Sequence, residues 1–146
     1  MGKGYSNPAK TFLMQYRALS IQLDSIRREV QRKRDSLTSI TVQLKPDVVK
    51  GSGVSDRMAE AIAQIVDAEA QFAEIIGQIT KAQREIMEAI KSVKDETQKA
   101  VLMLRYVEGL DWISIQERIG YERTQTLVIH GRALVAVNKW MEGKKP

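Results

Sequence analysis

From Phe12 onward, apolar residues recur at alternating steps of four and three: Phe12, Tyr16, Leu19, Leu23, Ile26, Val30, Leu37, Ile40 and Leu44. Lys33 keeps the spacing but not the type. That alternation is the a/d seam of a heptad repeat, and it predicts a long helix over about 8–45. Pro8 stands where a first-turn proline is tolerated. Pro46 closes the segment, and Lys50-Gly51-Ser52-Gly53 predicts an exposed loop. A second seam runs Met58, Ile62, Ile65, Glu69, Phe72, Ile76, Ile79, Gln83, Ile86, Ile90 and Val93, predicting a helix over about 54–93. Two such helices make a coiled-coil-like antiparallel hairpin over 8–94, each arm about 45–60 Å long. A hairpin buries one stripe of each helix, so it needs a partner: either the helix-turn-helix packs against one end, or hairpins of separate subunits form a multi-helix bundle. Glu69 and Gln83 at seam positions point to a homo-oligomer, because buried polar seam residues fix register and partner number.

Beyond residue 94 the period shortens and the punctuation changes. Leu102, Leu104, Tyr106 and Val107 give an apolar face, and Gly109 can take the left-handed conformation that ends a helix. Asp111 is placed to cap a short helix carrying Trp112, Ile113, Ile115 and Ile119. Gly120 supplies a tight turn, and a longer helix follows from about Arg123. The expected fold is therefore all-α, with the long hairpin followed by a helix-turn-helix over 95–142. Ser92 and Asp95 mark the junction, with Ser92 as a candidate cap. The order helix, short helix, glycine turn, longer helix is one by which many proteins lay a helix in the DNA major groove.

Composition limits the chemistry. The 146 residues include no cysteine, which excludes disulfides and thiolate metal sites and makes the cytoplasm the expected compartment. His130 is the only histidine, so no multi-histidine metal site exists. No apolar run approaches the roughly 20 residues of a membrane span, and Met1–Lys10 lacks the apolar core of a signal peptide. The net charge of +5 is mild and unevenly placed. Residues 1–50 carry ten Lys/Arg against four Asp/Glu, residues 51–94 five against seven, and residues 95–146 eight against seven. The candidate DNA reader is nearly neutral.

Val101 to Leu134 resembles the fourth region of bacterial sigma factors. The resemblance lies in Leu104-Arg105-Tyr106, Gly109, Ile115, Ile119-Gly120, Ile129 and Ala133-Leu134. A broader resemblance lies in the long helical first half, the Gly-Ser-Gly loop, Arg105-Tyr-Val-Glu-Gly-Leu-Asp-Trp112 and Ile129-His-Gly-Arg-Ala-Leu134. On these the chain looks like late-operon transcriptional regulators of the ArpU and RinA type from phages and prophages of Gram-positive bacteria. The resemblance implies a sequence-specific DNA-binding regulator of phage late genes, acting in the host cytoplasm. Its partners would be double-stranded DNA, further copies of itself through the hairpin, and RNA polymerase.

Carried onto this chain, the pattern makes Val101, Leu104, Tyr106, Trp112, Ile115, Ile119, Ile129, Ala133 and Leu134 core. It leaves Arg123, Thr124, Gln125, Leu127, Val128 and Arg132 outward. Arg123 and Gln125 suit base edges, since Arg pairs with guanine and Gln with adenine. Thr124 suits a base or a phosphate, and Arg132, Lys139 and Arg118 suit phosphates. Two departures stand out. Glu122 occupies a position where serine is common, and Leu127 and Val128 are apolar where related proteins often have polar or basic side chains. They suit thymine methyls or another protein.

Other features have plainer readings. The cluster Arg27, Arg28, Arg32, Lys33 and Arg34 is expected to be a solvated helical face, His130 to pack between helices, and Trp112 and Trp140 to anchor them. The carboxylates of 56–74 are spread around a helix rather than paired, which speaks against acid–base catalysis, so no catalytic, cofactor or metal residue is assigned. Two rival functions remain open. One is a DNA-packaging initiator resembling a small terminase subunit. The other is a protein-interaction module that contacts the transcription machinery without reading DNA.

Overall fold

The computed structural model describes residues 7–43 and 52–144, and the fold is all-α. Helix α1 spans Pro8–Gln43, α2 Ser52–Ser92, α3 Glu96–Leu102, α4 Trp112–Ile119 and α5 Arg123–Lys144. Between α3 and α4 the chain makes a π-helical turn over Met103–Val107. Leu44, Pro46, Lys50 and Gly51 lie outside the described residues, while Ser52 and Gly53, expected in a loop, belong to the first turn of α2.

Each cap has a local chemical cause. The Asn7 side-chain oxygen accepts from the backbone N–H of Ala9 at 3.0 Å and of Lys10 at 3.3 Å, so Pro8 opens α1 at the position where its missing N–H costs nothing. Asp95 caps α3 by accepting from the Gln98 N–H at 2.9 Å. Ser92, the other candidate, instead donates its hydroxyl back to the carbonyl of Ala89. A short hydroxyl inside a helix end bonds backward in this way, whereas Asp95, already in extended backbone, can reach forward.

Packing divides the chain into two compact units, 20–78 and the combination of 1–19 with 79–146. The second contains two apolar clusters. In one, Ala9 and Leu13 of α1 and Ile86, Ala89, Ile90 and Val93 of α2 meet Leu102, Tyr106, Ala133, Leu134 and Val137. The other joins Val101, Leu104, Ile115 and Ile129. The segment from 101 to 106 therefore buries both sides. Leu102 and Tyr106, four apart, face the first cluster, and Val101 and Leu104, three apart, face the second. This explains a leucine-rich stretch that no single helical face accommodates. The π turn overlaps the second half of this segment and ends with Glu108 N–H donating to the Met103 carbonyl at 3.0 Å and Leu110 N–H to the Leu104 carbonyl at 2.9 Å. Gly109, at φ 75°, completes the reversal that a side-chain-bearing residue would strain.

In the unit 20–78, the predicted seam of α1 is half-buried at each of Leu23, Ile26, Val30, Lys33, Leu37 and Ile40. The seam of α2 departs from expectation. Its covered row runs Met58, Ala61, Ile65, Ala68, Phe72 and Ile75, and continues in the other unit through Ile79, Ala82, Ile86, Ala89 and Val93, where the expected Ile90 is buried as well. Alternate steps are three where hydrophobicity alone suggests four. Glu69 and Gln83 are exposed, and Ala68 and Ala82 take the inward positions. The reason is steric and electrostatic: an alanine allows close approach, while a carboxylate in the seam would lose water without compensation. Glu69 instead pairs with Arg34 at 3.1 Å on the surface, outside the seam between α1 and α2.

Ala68 is 4 % exposed, so enlarging it overpacks the seam. Ala68→Leu is expected to destabilise by about 1–3 kcal/mol in urea unfolding. Glu69→Ala is expected to stay within about 1 kcal/mol, as for surface ion pairs. The reverse order would restore the four-step seam.

Candidate nucleic-acid interface

The surface of interest is built by α4, the turn at Gly120 and α5. Asp111 caps α4 by accepting from the Ser114 N–H at 2.8 Å, and hydrogen bonding to Ser114 holds its carboxyl below the usual range. Gly120, at φ 76°, closes α4 by donating its N–H to the Gln116 carbonyl at 2.9 Å. Helix α5 then begins at Arg123.

What fixes the rotation of α5 is a polar contact inside the apolar packing. The Tyr106 hydroxyl and His130 Nε2 lie 2.6 Å apart, and on a neutral ring either can donate, according to which nitrogen carries the proton. Tyr106 is 1 % exposed and His130 8 %. Trp112 meets the imidazole edge-on at 4.7 Å between centroids, and the Arg105 guanidinium sits over the Trp112 ring at 4.6 Å. Arg105 also donates to the Leu110 carbonyl at 3.1 Å, tying the turn after the π helix to the start of α4. Burial, with the charges of Lys10 and Arg105 adding to it, lowers the His130 pKa to about 4. Burial likewise raises Tyr106 to about 12.

With that phase set, Thr126, Ile129, His130, Ala133, Leu134 and Val137 point inward. Thr126 is fully buried and donates its hydroxyl to the Glu122 carbonyl at 2.8 Å, so the first turn of α5 is anchored. Sequence reasoning passes over Thr126, whose only advance signal is the step of three or four to Ile129, His130 and Ala133.

The complementary face is exposed: Arg123, Thr124 and Gln125 at the start of α5, then Leu127, Val128 and Arg132, with Lys139 further along. Leu127 is 38 % exposed, Val128 41 % and Val135 54 %, so an apolar strip runs beside the polar residues. Ile113, which its residue type groups with the apolar side of the short helix, is 66 % exposed. Arg118, on α4, is exposed with one guanidinium nitrogen 4.0 Å from Glu108. Glu122 is also exposed and adds a negative charge beside Arg123.

The basic cluster of α1 is largely occupied within its own unit. Arg27 and Arg28 both pair with Asp24, Lys33 lies 3.6 Å from Glu29, and Arg34 pairs with Glu69. Among the described residues, no His, Cys, Asp and Glu side chains group as a metal ion would require, and no helix is long and apolar enough to cross a membrane. Compared with family models, curated proteins and solved structures, the chain matches none.

The buried imidazole gives stability a direction with pH. In the unfolded chain His130 takes a proton near pH 6.5, whereas in the fold it resists until about pH 4. The neutral ring's contribution is thus complete above about pH 6.5 and is lost as pH falls toward 4. It amounts to at most about 3 kcal/mol. In urea unfolding across that range, His130→Gln is expected to flatten this part of the pH dependence. An unchanged slope would mean that carboxylates carry it instead.

Proposed function

We propose that the chain binds double-stranded DNA sequence-specifically, with α4, the Gly120 turn and α5 acting as a helix-turn-helix and α5 entering the major groove. The observation that carries this reading is the placement of Arg123, Thr124 and Gln125. All three are exposed at the start of a helix whose next residue, Thr126, is fully buried. Side chains with donors and acceptors at the start of an anchored helix are what base-edge readout requires. Arg123 would address guanine and Gln125 adenine, Thr124 a base or phosphate, and Arg118, Arg132 and Lys139 the phosphates. Leu127 and Val128 would lie against thymine methyls.

The resemblance to sigma-factor fourth regions and to ArpU- and RinA-type regulators supports transcriptional control of phage late genes in the host cytoplasm. RNA polymerase would be a further partner. The near-neutral C-terminal segment cannot draw strength from charge alone, so useful affinity would come from several copies, joined through a hairpin of α1 and α2.

Leu127, Val128 and Val135 also favour a second reading, in which the same face of α5 docks on a protein of the transcription machinery. Selection from a randomised duplex pool distinguishes the two. The expected result is an enriched sequence bound with a modest salt dependence. Arg123→Ala with Gln125→Ala should reduce the preference for it by about 10- to 100-fold. Sequence preference unchanged in that double variant would remove α5 from the interface. No binding at about 50 mM salt would leave the protein-docking reading.

A further inference from the structure

We infer that the outer face of α2 between Ala59 and Gly77 is a docking surface for a second copy of this chain, α2 packing on α2 about a two-fold axis. This deepens the oligomer part of the proposed function, and it stands whether or not α5 reads DNA.

The unit 20–78 is poorly closed by itself. Among its described residues, only Ile65 and Ala68 are buried. With the seam at Met58, Ala61, Ile65, Ala68, Phe72 and Ile75, five rows of α2 lie outside it, and three adjoining ones are almost wholly apolar. They hold Ile62, Glu69 and Ile76; Ala59, Val66 and Ala73; and Ala63, Ala70 and Gly77. Of these nine positions, Glu69 alone has a polar side chain, and Arg34 neutralises it at 3.1 Å. Ile62 is 48 % exposed, Val66 59 % and Ile76 42 %. The solvent side of a two-helix unit is ordinarily polar. An apolar strip of about 27 Å is instead the mark of a surface that is covered.

Charge identifies the occupant. The strip is bordered by Glu60, Asp67 and Glu74, spaced by seven on one side of α2. Among the described residues none of them makes an ion pair, and neither does Arg32 of α1. Residues 52–78 carry five Asp/Glu against one Lys/Arg, while residues 20–43 carry five Lys/Arg against three Asp/Glu. A single unit thus supplies an apolar strip, an acidic border and, on its other helix, a basic surface that includes Arg28 and Arg32. A two-fold axis uses each feature twice, setting each copy's acidic border against the other's basic helix. The same acidic border repels nucleic acid, which makes this face a poor second DNA site.

Sedimentation of the full chain without DNA, at about 0.15 M salt, tests the assignment. The expected mass is twice the 16.5 kDa of one chain. Ile62→Glu with Val66→Glu is expected to raise the dimer dissociation constant by about 100-fold or more, with helical circular dichroism retained. Should that variant lose helix, a charge exchange decides. Glu60→Lys, Asp67→Lys and Glu74→Lys together should weaken the dimer, and adding Arg28→Glu with Arg32→Glu should restore it, a recovery that misfolding does not produce. A wild-type monomer at about 100 µM would overturn the proposal and give the strip to a different protein. A larger closed assembly, or a dimer indifferent to both sets of changes, would overturn it as well.

Discussion

A phenol buried between helices has to find a hydrogen-bond partner, because leaving its hydroxyl dry and unpaired would cost about 1–3 kcal/mol. Tyr106 meets that requirement through His130, and much of the C-terminal arrangement depends on the pairing. The contact links the π turn to the middle of α5, so α5 cannot rotate without breaking it. Once His130 is inside, Thr126, Ile129, Ala133 and Leu134 must be inside too, and Arg123, Thr124, Gln125, Leu127, Val128 and Arg132 are left outside. Trp112 against the imidazole and Arg105 against Trp112 carry the constraint to α4. The exposed face of α5 is therefore defined by an interaction on its opposite side. A neutral ring fits this position, because a charged one would need a counter-ion and the neighbouring Lys10 and Arg105 are themselves positive.

What could be read along the chain was whatever local chemistry decides. Gly109, Asp111 and Gly120 mark their turns because a left-handed residue and a short carboxylate have few other uses there. The outward residues of α5 follow from helical spacing once its core residues are chosen. The π turn was not legible, since nothing in Met-Leu-Arg-Tyr-Val distinguishes it from an ordinary helical turn. It accompanies a segment that must satisfy two clusters at once, a demand arising from residues far away in sequence. The docking of Ala9 and Leu13 beside Ala133 and Val137 is non-local in the same way.

The α2 seam shows a different limit. Steps of three and of four are both helical, so Ile62 or Ala61, and Glu69 or Ala68, fit the spacing equally well. Choosing by hydrophobicity selects the isoleucines, yet packing selects the alanines because a neighbouring helix must come close. Shape rather than apolarity decides, and shape is a property of the pair of helices. The sequence supplied both candidate rows but not the partner that chooses between them.

That choice has a consequence for how the molecule can associate. With Glu69 and Gln83 inward, specificity for a partner would come from buried polar groups, which cost desolvation. With the alanines inward, the same heptads turn Ile62 and Ile76 outward beside Val66, and Glu69 reaches the surface where Arg34 holds it. The polar signal for assembly is then replaced by an apolar one with charges at its edge. Apolar burial supplies the driving force for such an interface, while rows of opposite charge select the register and exclude other partners. Under the proposed DNA-binding role, the nearly neutral C-terminal segment would gain most from this division. Its affinity for a charged polymer would grow with the number of copies rather than with its own charge, leaving its few polar side chains to discriminate among sequences.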